Sequence, residues 1–490
     1  MPQQTVMMPL LGLDGRPPHL LRPGSLTVMK NARLQDGVVW RDGDYTSSST
    51  LTNNVIHIDY FRRVHATPQL AMVFTTDKIR TYDGSSFSDI TGAATVTCDT
   101  TNRVHSDALH TTTGTKFYFT EGNNNVRVWT GSGNIAAIGG SPQFSKARCL
   151  ATFGDRIIVG NTTESGTDYP QRIRWSKVND GENWTDSTSS FLDMVDSSEP
   201  ILAFARLRNT LYVFTRTEIW AVNKVSNSLM FNYSQASRDF HLFLDASFRS
   251  AVGSLVVHNG LIWFFSNRGF VTFDGFNFDL VGEPITPFLQ DVTLDARDVI
   301  GGVDKARDRV WFGVNSTIGS YAYNLRTRTW EQPTVDYLGM AKGGQSANDL
   351  FSASATALGF SSTFVRFVTA QPSSSNRAEI TTAFIGDDGG RRMKRIVNVM
   401  PIIPERHASH TYDVTVNGYF SLDKSVTALD PDDTETVSAM PINTGETLQA
   451  TMDVTGRWFE VTLKDTSATA SAPKRMCAGF VIEWDYLGKN

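Results

Sequence analysis

Cysteine, net positive charge and long apolar runs are all scarce in this sequence, and each shortage excludes something. Three cysteines in 490 residues, Cys98, Cys149 and Cys477, stand far apart with no CxxC spacing. That excludes a disulfide scaffold and a thiolate zinc site, and it suits assembly in a reducing cytosol. With Lys+Arg 45 against Asp+Glu 50, the net charge is −5, so no global positive field recruits nucleic acid or an anionic membrane. No apolar run approaches the roughly 18 residues of a spanning helix. The opening MPQQTVMMPLLGLDG has no basic stretch ahead of its short apolar run, which predicts no secretory signal. Charged residues make up only 19%, below the roughly 25% usual for soluble proteins.

Gly 38, Pro 18 and abundant Ser, Thr and Asn fill the difference, and such turn-forming residues point to many short strands joined by loops. An aromatic share of 11% supplies apolar area enough to offset the entropy of ordering, which argues against disorder. The chain is expected to be all-β.

From about 55 to 335 one unit recurs: an apolar strand, a polar turn and a second strand ending in an aromatic. The copies include Leu70–Phe74 with Ile79–Tyr82, Lys116–Phe119 with Val126–Trp129, and Arg156–Val159 with Ile173–Trp175. Leu211–Phe214 with Glu218–Trp220, Leu261–Phe265 with Phe270–Phe273, and Val310–Phe312 with Tyr321–Tyr323 complete the series. Their first strands start roughly 40–55 residues apart, close to the period of propeller blades. Asp83-Gly84, Gly154-Asp155, Asn259-Gly260 and Asp274-Gly275 provide tight hairpin turns. Six units are clear and Asn348–Phe367 offers a seventh, so residues 51–370 read as a β-propeller of six or seven blades; a β-sandwich is the rival.

Residues 1–50, broken by Pro17, Pro18, Pro23 and several glycines, read as an extended arm that packs on another domain or subunit. Within it Ser25–Leu34 fits a short helix capped by Ser25, and Gly37–Trp40 fits a strand. Gln371–Asn376 reads as a linker. Residues 377–490, with alternating strands at Lys394–Met400, Thr411–Val416, Thr447–Val454, Trp458–Leu463 and Phe480–Trp484, read as a C-terminal antiparallel β-sandwich.

Signatures of chemistry are sparse. There is no GxxxxGK[ST] loop, GxSxG elbow or HExxH helix. His407 and His410 form the one close histidine pair, more economically read as a surface loop than as ligands. Asp430, Asp432, Asp433 and Glu435 offer oxygen ligands for a hard cation, but their spacing is not that of an EF-hand and a solvated loop is the plainer reading. Val178–Trp184 compares with the sialidase Asp-box but has Lys177 and Asn179 where that motif needs Ser and Asp; a hairpin with Trp184 packed beneath it accounts for it. Arg391, Arg392, Lys394 and Arg395 form the densest basic cluster.

Three stretches resemble parts of one protein family. Leu11-Gly12-Leu13-Asp14-Gly15-Arg16-Pro17-Pro18, Leu21-Arg22-Pro23-Gly24 and Lys30-Asn31-Ala32-Arg33-Leu34-Gln35-Asp36-Gly37 resemble the opening of phage tail proteins in which this line precedes a β-propeller. Arg172-Ile173-Arg174-Trp175-Ser176 with Asp180-Gly181-Glu182-Asn183-Trp184 is similar to their blade hairpin. Gly456-Arg457-Trp458-Phe459-Glu460-Val461 resembles a strand near their C-termini. Two departures stand out: Leu13 and Asp14 replace the family's usual second Gly and Asn, and Asp42-Gly43-Asp44 replaces Arg-Pro-Gly.

The resemblance implies a tail nozzle, or tail tubular (hub) protein, of a short-tailed phage: a virion structural protein assembled in the host cytoplasm, not an enzyme and without cofactors or metals. It implies a ring of copies, commonly about six, since heterologous contacts close into rings. The expected partners are the adaptor and portal-side connectors above, needle, plug or fibre proteins below, and double-stranded DNA sliding through the lumen without specific binding. Arg16, Pro17, Leu21, Arg33, Arg391, Arg392, Lys394 and Arg395 are the candidate partner contacts. The alternative is a carbohydrate-binding or carbohydrate-active propeller (a receptor-binding tail protein), whose mark is an axial pocket of acids, arginines and aromatics; Arg216, Glu218, Arg268 and Arg309 are its candidate lining.

Overall fold

The structure is a computed structural model that describes residues 4–487, except 18–19, 42–43, 52–54, 62–69, 84–85, 100, 112–113, 123, 226–229, 291–293, 305–307, 316–318, 333–336, 341–350, 355–362, 371–376, 387–390, 405–410, 421–430, 442–447 and 467–474. Six consecutive four-stranded antiparallel sheets come from consecutive sequence: blade 1 begins at Val55–Phe61, blade 2 at His105–Thr111 and blade 3 at Lys146–Phe153. Blade 4 begins at Ile201–Leu207, blade 5 at Val256–His258 and blade 6 at Ile300–Asp304. A seventh sheet takes Tyr337–Met340, Phe351–Ser354 and Thr363–Ala370 and adds Asp44–Thr50 as its outer strand. The first strand of blade 7 lies against those of both blade 6 and blade 1, so the ring closes. The fold is a β-propeller, and its last blade is completed from the chain's other end.

The second strand of each blade has neighbours on both faces, which is why these strands read as unbroken apolar runs. Leu70–Thr75 and Leu261–Ser266 are buried at every position after the first. Aromatic rings fill the gaps between blades at edge-on angles favoured by their quadrupoles: Phe61 meets Trp129 at 5.1 Å and Phe74 meets Phe119 at 5.2 Å.

The C-terminal strands form two facing sheets, and each is completed by a strand from the first 30 residues. Gln4–Pro9 pairs with Gly479–Tyr486, beside Lys394–Pro401 and Ala450–Gly456. Leu26–Lys30 pairs with Glu379–Thr382, beside Trp458–Asp465, Thr411–Tyr419 and Asp433–Pro441. The helix expected over Ser25–Leu34 is therefore two strands, Leu26–Lys30 and Ala32–Gln35. β-branched Thr27 and Val28 favour extended backbone, and Asn31 in the left-handed region (φ 52°) breaks any helical run. The strand expected at Gly37–Trp40 is found at Val38–Arg41, with Arg475–Cys477 on its far side. The linker expected at Gln371–Asn376 lies outside the described residues, as does most of Asn348–Phe367 apart from its strand backbone.

Residues 4–41 thus form the seam between propeller and sandwich. Leu13 N–H donates to the Trp330 carbonyl at 3.1 Å, and Gly15 N–H to that of Pro284 at 2.7 Å. One continuous apolar core joins Leu13 and Met29 of this segment to Phe270, Phe312 and Trp330 of the propeller and to Ile380, Val414 and Val461 of the sandwich. Glycines make the close turns possible: Gly24 sits at φ +91° with room for no side chain, since a Cβ there would lie 2.0 Å from the Pro9 carbonyl oxygen.

Candidate functional site

A propeller's first strands surround its axis, so polar residues inside them face a shared channel. Here the first strands of blades 1, 2 and 4 depart from apolar alternation at His57 and Asp59, at His105, Ser106 and Asp107, and at Arg206. These residues join neighbouring blades. Ser106 Oγ donates to Asp59 Oδ2 at 2.5 Å and lies 3.2 Å from His57 Nε2, tying blade 2 to blade 1. Thr152 N–H donates to Asp107 Oδ2 at 2.8 Å, and Arg206 Nη1 donates to the Thr152 carbonyl at 3.2 Å, tying blades 2, 3 and 4. The serine bridges histidine and carboxylate, so it is not the relay of a hydrolase, in which the histidine stands between the other two.

The channel holds a cavity of about 640 Å³ at the end where the first strands finish. At the other end it narrows to about 50 Å³ beside Arg103. Arg103 leaves the loop before blade 2, donates through Nη1 to the Ile56 carbonyl at 3.3 Å and through Nη2 to the Arg297 carbonyl. It therefore latches blade 1 to the connection between blades 5 and 6. Burial pulls its pKa down to about 10, partly offset by the charges of Asp298 and Asp99, so at neutral pH it remains a cation. The connection it grips is stiffened by Asp295, which accepts from Arg297 N–H at 3.0 Å and pairs with Arg249 at 2.5 Å.

The residues that sequence offered for an axial site lie elsewhere. Arg309 is fully buried within blade 6, 2.9 Å from Glu331 and 3.2 Å from Asp304. Glu218 is saturated by Ser197, Trp220, Gln235 and Arg238. Arg216 pairs loosely with Glu199 at 3.6 Å, and Arg268 stands over the Phe240 ring. None of the four lines the axial cavity. Glu331 was passed over in sequence, yet its carboxylate accepts from Arg309, from Asn324 Nδ2 at 2.9 Å and from Leu34 N–H at 3.0 Å, pinning the N-terminal segment to blade 6.

The candidate partner contacts divide. Arg16 is held by Asp14 at 2.7 Å, with Pro17 exposed beside it and Leu21 half-buried. Arg33 stacks on Trp40, which also meets Arg475 and donates its indole N–H to the Gln35 carbonyl at 3.3 Å. Arg391 and Arg392 are exposed, but Lys394 is only 1% exposed and points at the Tyr486 ring. Arg395 is paired in a fork with Asp453 at 2.6 and 3.0 Å. Of the acidic group, Asp432, Asp433 and Glu435 accept from the amides of Phe420, Thr455 and Asp453 respectively. Their oxygens are thus turned to three separate backbone positions; Asp430, His407 and His410 lie outside the described residues. Trp184 is buried against Phe144 at 4.8 Å beneath the Val178–Trp184 turn.

No family model matches the chain, and no curated protein is similar to it. Among solved structures, the chain is similar to the WD40 domain of Neurospora crassa Pan2 at 10% identity and a TM-score of 0.42, covering 66% of this chain and 95% of that one. It is similar to the β-propeller domain of Myceliophteria thermophila Cps50 (Swd1) at 7% identity and a TM-score of 0.42, covering 66% and 99%. It is also similar to the extracellular domain of a putative one-component system from B. thetaiotaomicron at 8% identity and a TM-score of 0.44, covering 89% of this chain and 62% of that one. At the level of fold, the chain is an all-β protein built on a β-propeller.

Proposed function

We propose that the chain is a non-enzymatic structural subunit of a short-tailed phage tail, forming a ring-shaped nozzle that conducts the genome and joins the head-side adaptor to distal tail parts. The observation that carries the reading is the place of the segment with the family resemblance. Residues 11–37 are built between propeller and sandwich, with Gly12 against Thr329 and Gly24 against Pro9. Two of the resembling glycines, Gly12 and Gly24, thus have no room for a side chain where the segment packs, Gly12 on blade 6 and Gly24 on the first strand of the segment itself. The excess of acid over base supports a wall along which DNA phosphates slide without capture. Exposed Pro17, Arg391 and Arg392, together with Arg16, Leu21 and Arg33, are the contacts proposed for neighbouring copies or connectors.

A second reading, a carbohydrate-binding propeller, is favoured by one specific observation: the axial cavity brings Asp59, Asp107, Arg206 and Tyr60 to one place. The mass of the purified protein by mass photometry, with negative-stain images of the same sample, tests the first. A closed ring of about six copies with an open centre is expected. A monomer that stays monomeric when mixed with its portal–adaptor complex would overturn the nozzle reading.

A further inference from the structure

The rim of the axial cavity carries three cations, of which Arg206 also ties blade 4 to blade 3. Arg206 and Arg208 line both the cavity and an adjoining groove between blades 3 and 4, about 890 Å³ in volume, which also takes in Lys224. All three side chains are exposed. Arg206 has one hydrogen bond, to Thr152, and neither Arg208 nor Lys224 forms an ion pair or side-chain hydrogen bond among the described residues. The groove's one acid is Asp155. Arg208 feels the Asp274 charge, and Asp59, Asp107 and Asp155 stand in the same cavity and groove, so the site sets three cations against separate carboxylates without ion-pair contact among the described residues.

Arg208 also occupies a backbone position that does not suit it. The hairpin after the first strand turns at Gly154 (φ +58°) in blade 3 and at Asn259 (φ +50°) in blade 5, and in blade 4 the same slot is Arg208 at φ +55°. Glycine or asparagine enters this region readily and other residues at a cost. Backbone strain at a charged residue on the lip of a cavity is a reason to look for a function there.

Asp59 and Asp107 line the same cavity. Asp107 is fixed by Ala108 and Thr152 amides at 2.8 Å each, and the Arg206 guanidinium is fixed by the carbonyl of the same Thr152. Acceptor and cation are therefore held on either side of one residue. A carboxylate with two backbone donors still has two lone pairs to offer, which suit the hydroxyls of a ligand whose oxyanion sits on the arginines.

We propose that this rim binds a saccharide carrying an oxyanion, its charged group held by Arg206 and Arg208 with Lys224 beyond them, and its hydroxyls facing Asp59 and Asp107. The proposal deepens the second reading above and rests on it for the saccharide, though not for the anion.

The test is calorimetric titration of the full chain with oligogalacturonate, a sugar phosphate, the neutral oligosaccharide and inorganic phosphate. The acidic saccharides are expected to bind, more weakly as salt rises, and to lose about tenfold or more in affinity in R206Q/R208Q, the scale of a charge-assisted hydrogen bond. Whichever of carboxylate and phosphate binds more tightly identifies the oxyanion. Arg208→Asn supplies the control for folding: it is expected to melt no lower than the parent while binding more weakly. No binding of either acidic saccharide, or binding unchanged in R206Q/R208Q, would overturn the proposal. Neutral oligosaccharide bound as tightly as the acidic ones would overturn it while leaving carbohydrate binding in place. Inorganic phosphate bound as tightly as the saccharides would overturn the saccharide and leave only an anion site.

Discussion

Glu331 is the position at which one atom-level change should separate the two domains. Its side chain is fully buried and accepts from Arg309, Asn324 and the Leu34 amide, which lies 297 positions away in sequence. Glu331→Gln keeps the shape but replaces one acceptor with a donor. Three donors then compete for one oxygen, and the Arg309 charge is left with Asp304 at 3.2 Å. Breaking a buried pair by removing one partner costs about 3–5 kcal/mol, whereas an exposed pair such as Arg395–Asp453, with side chains 47% and 66% exposed, is worth about 1 kcal/mol or less. At about 1.4 kcal/mol per decade, exchange of the Leu34 amide should speed up by about a hundredfold to a few thousandfold if its protection comes from this docking. Hydrogen exchange read by mass spectrometry on peptides spanning residues 26–41 is the assay, with Asp453→Asn as the surface control. Exchange at Leu34 unchanged in Glu331→Gln, or changed as much in the control, would refute the reasoning.

Two further predictions follow from the same seam and from the axial latch. Gly24→Ala places a Cβ 2.0 Å from a backbone oxygen at φ +91°, a clash neither chain can relieve by rotating a side chain. It should cost more than the 1–3 kcal/mol of a left-handed non-glycine residue and lower the thermal midpoint measurably, whereas Gly37→Ala, with nothing within 4 Å of its Cβ, should cost only its strain at φ +74°. At the latch, burial pushes the Asp295 carboxyl up, but hydrogen bonds from the Arg297 side chain and backbone, with the charges of Arg297 and Arg249, outweigh it and hold it below the ordinary range. A carboxyl depressed in the folded state contributes stability above its unfolded pKa, near 3.8, that is lost as pH falls through the folded value. Neighbouring Asp298 is raised by burial and then by the Asp295 charge; it acts with the opposite sign, and Asp295→Asn relieves part of its shift, which makes the difference smaller. The difference in thermal midpoint between the parent and Asp295→Asn should therefore be steady well above pH 3.8 and shrink as the pH falls below it; a difference that does not shrink on acidification would mean that ionisation of Asp295 is not what stabilises the latch.

Six blades were legible because a strand covered on both faces cannot hide: Leu261–Phe265 is apolar from end to end and can sit nowhere but inside. The fourth strand of blade 7 left no such trace. Asp44–Thr50, largely Ser and Thr, is polar like any outer strand, and it pairs with residues more than 300 positions away. Periodicity works within a window and has no access to such a pairing. The helix expected at Ser25–Leu34 failed for a related reason. Leu26 and Met29 are three apart, as on a helix, but both are buried on one strand because a bulge between Leu26 and Val28 shifts the alternation by one residue. The site was less legible than the fold. Arg309 and Glu331 look in sequence like any surface charges, and only burial separates them from Arg395. Conversely, His57, Asp59, Asp107 and Arg206 did carry a signal, polar residues inside the first strand of successive units, but its meaning depends on knowing that those strands surround an axis.

The N-terminal segment serves three edges in sequence order: Gln4–Pro9 completes one sheet of the sandwich, Leu26–Lys30 the other, and Asp44–Thr50 the last blade. An unpaired strand edge is a template for association with another chain, so a fold that fills three edges from its own first 50 residues suppresses strand exchange between copies. It also makes the two domains mutually dependent, because displacing this segment would open the propeller ring and uncover both sandwich sheets together. The contacts that the nozzle reading proposes for other proteins are side chains at turns and rims, such as Pro17 beside Arg16 and the exposed Arg391 and Arg392. Under the nozzle reading this division of labour has a mechanical consequence. The apolar core that runs from Phe312 through Leu13 to Val461 resists relative motion of the domains better than a small polar interface would. Force applied at one contact would therefore pass to the next through packed side chains and paired strands, without the give of a flexible linker.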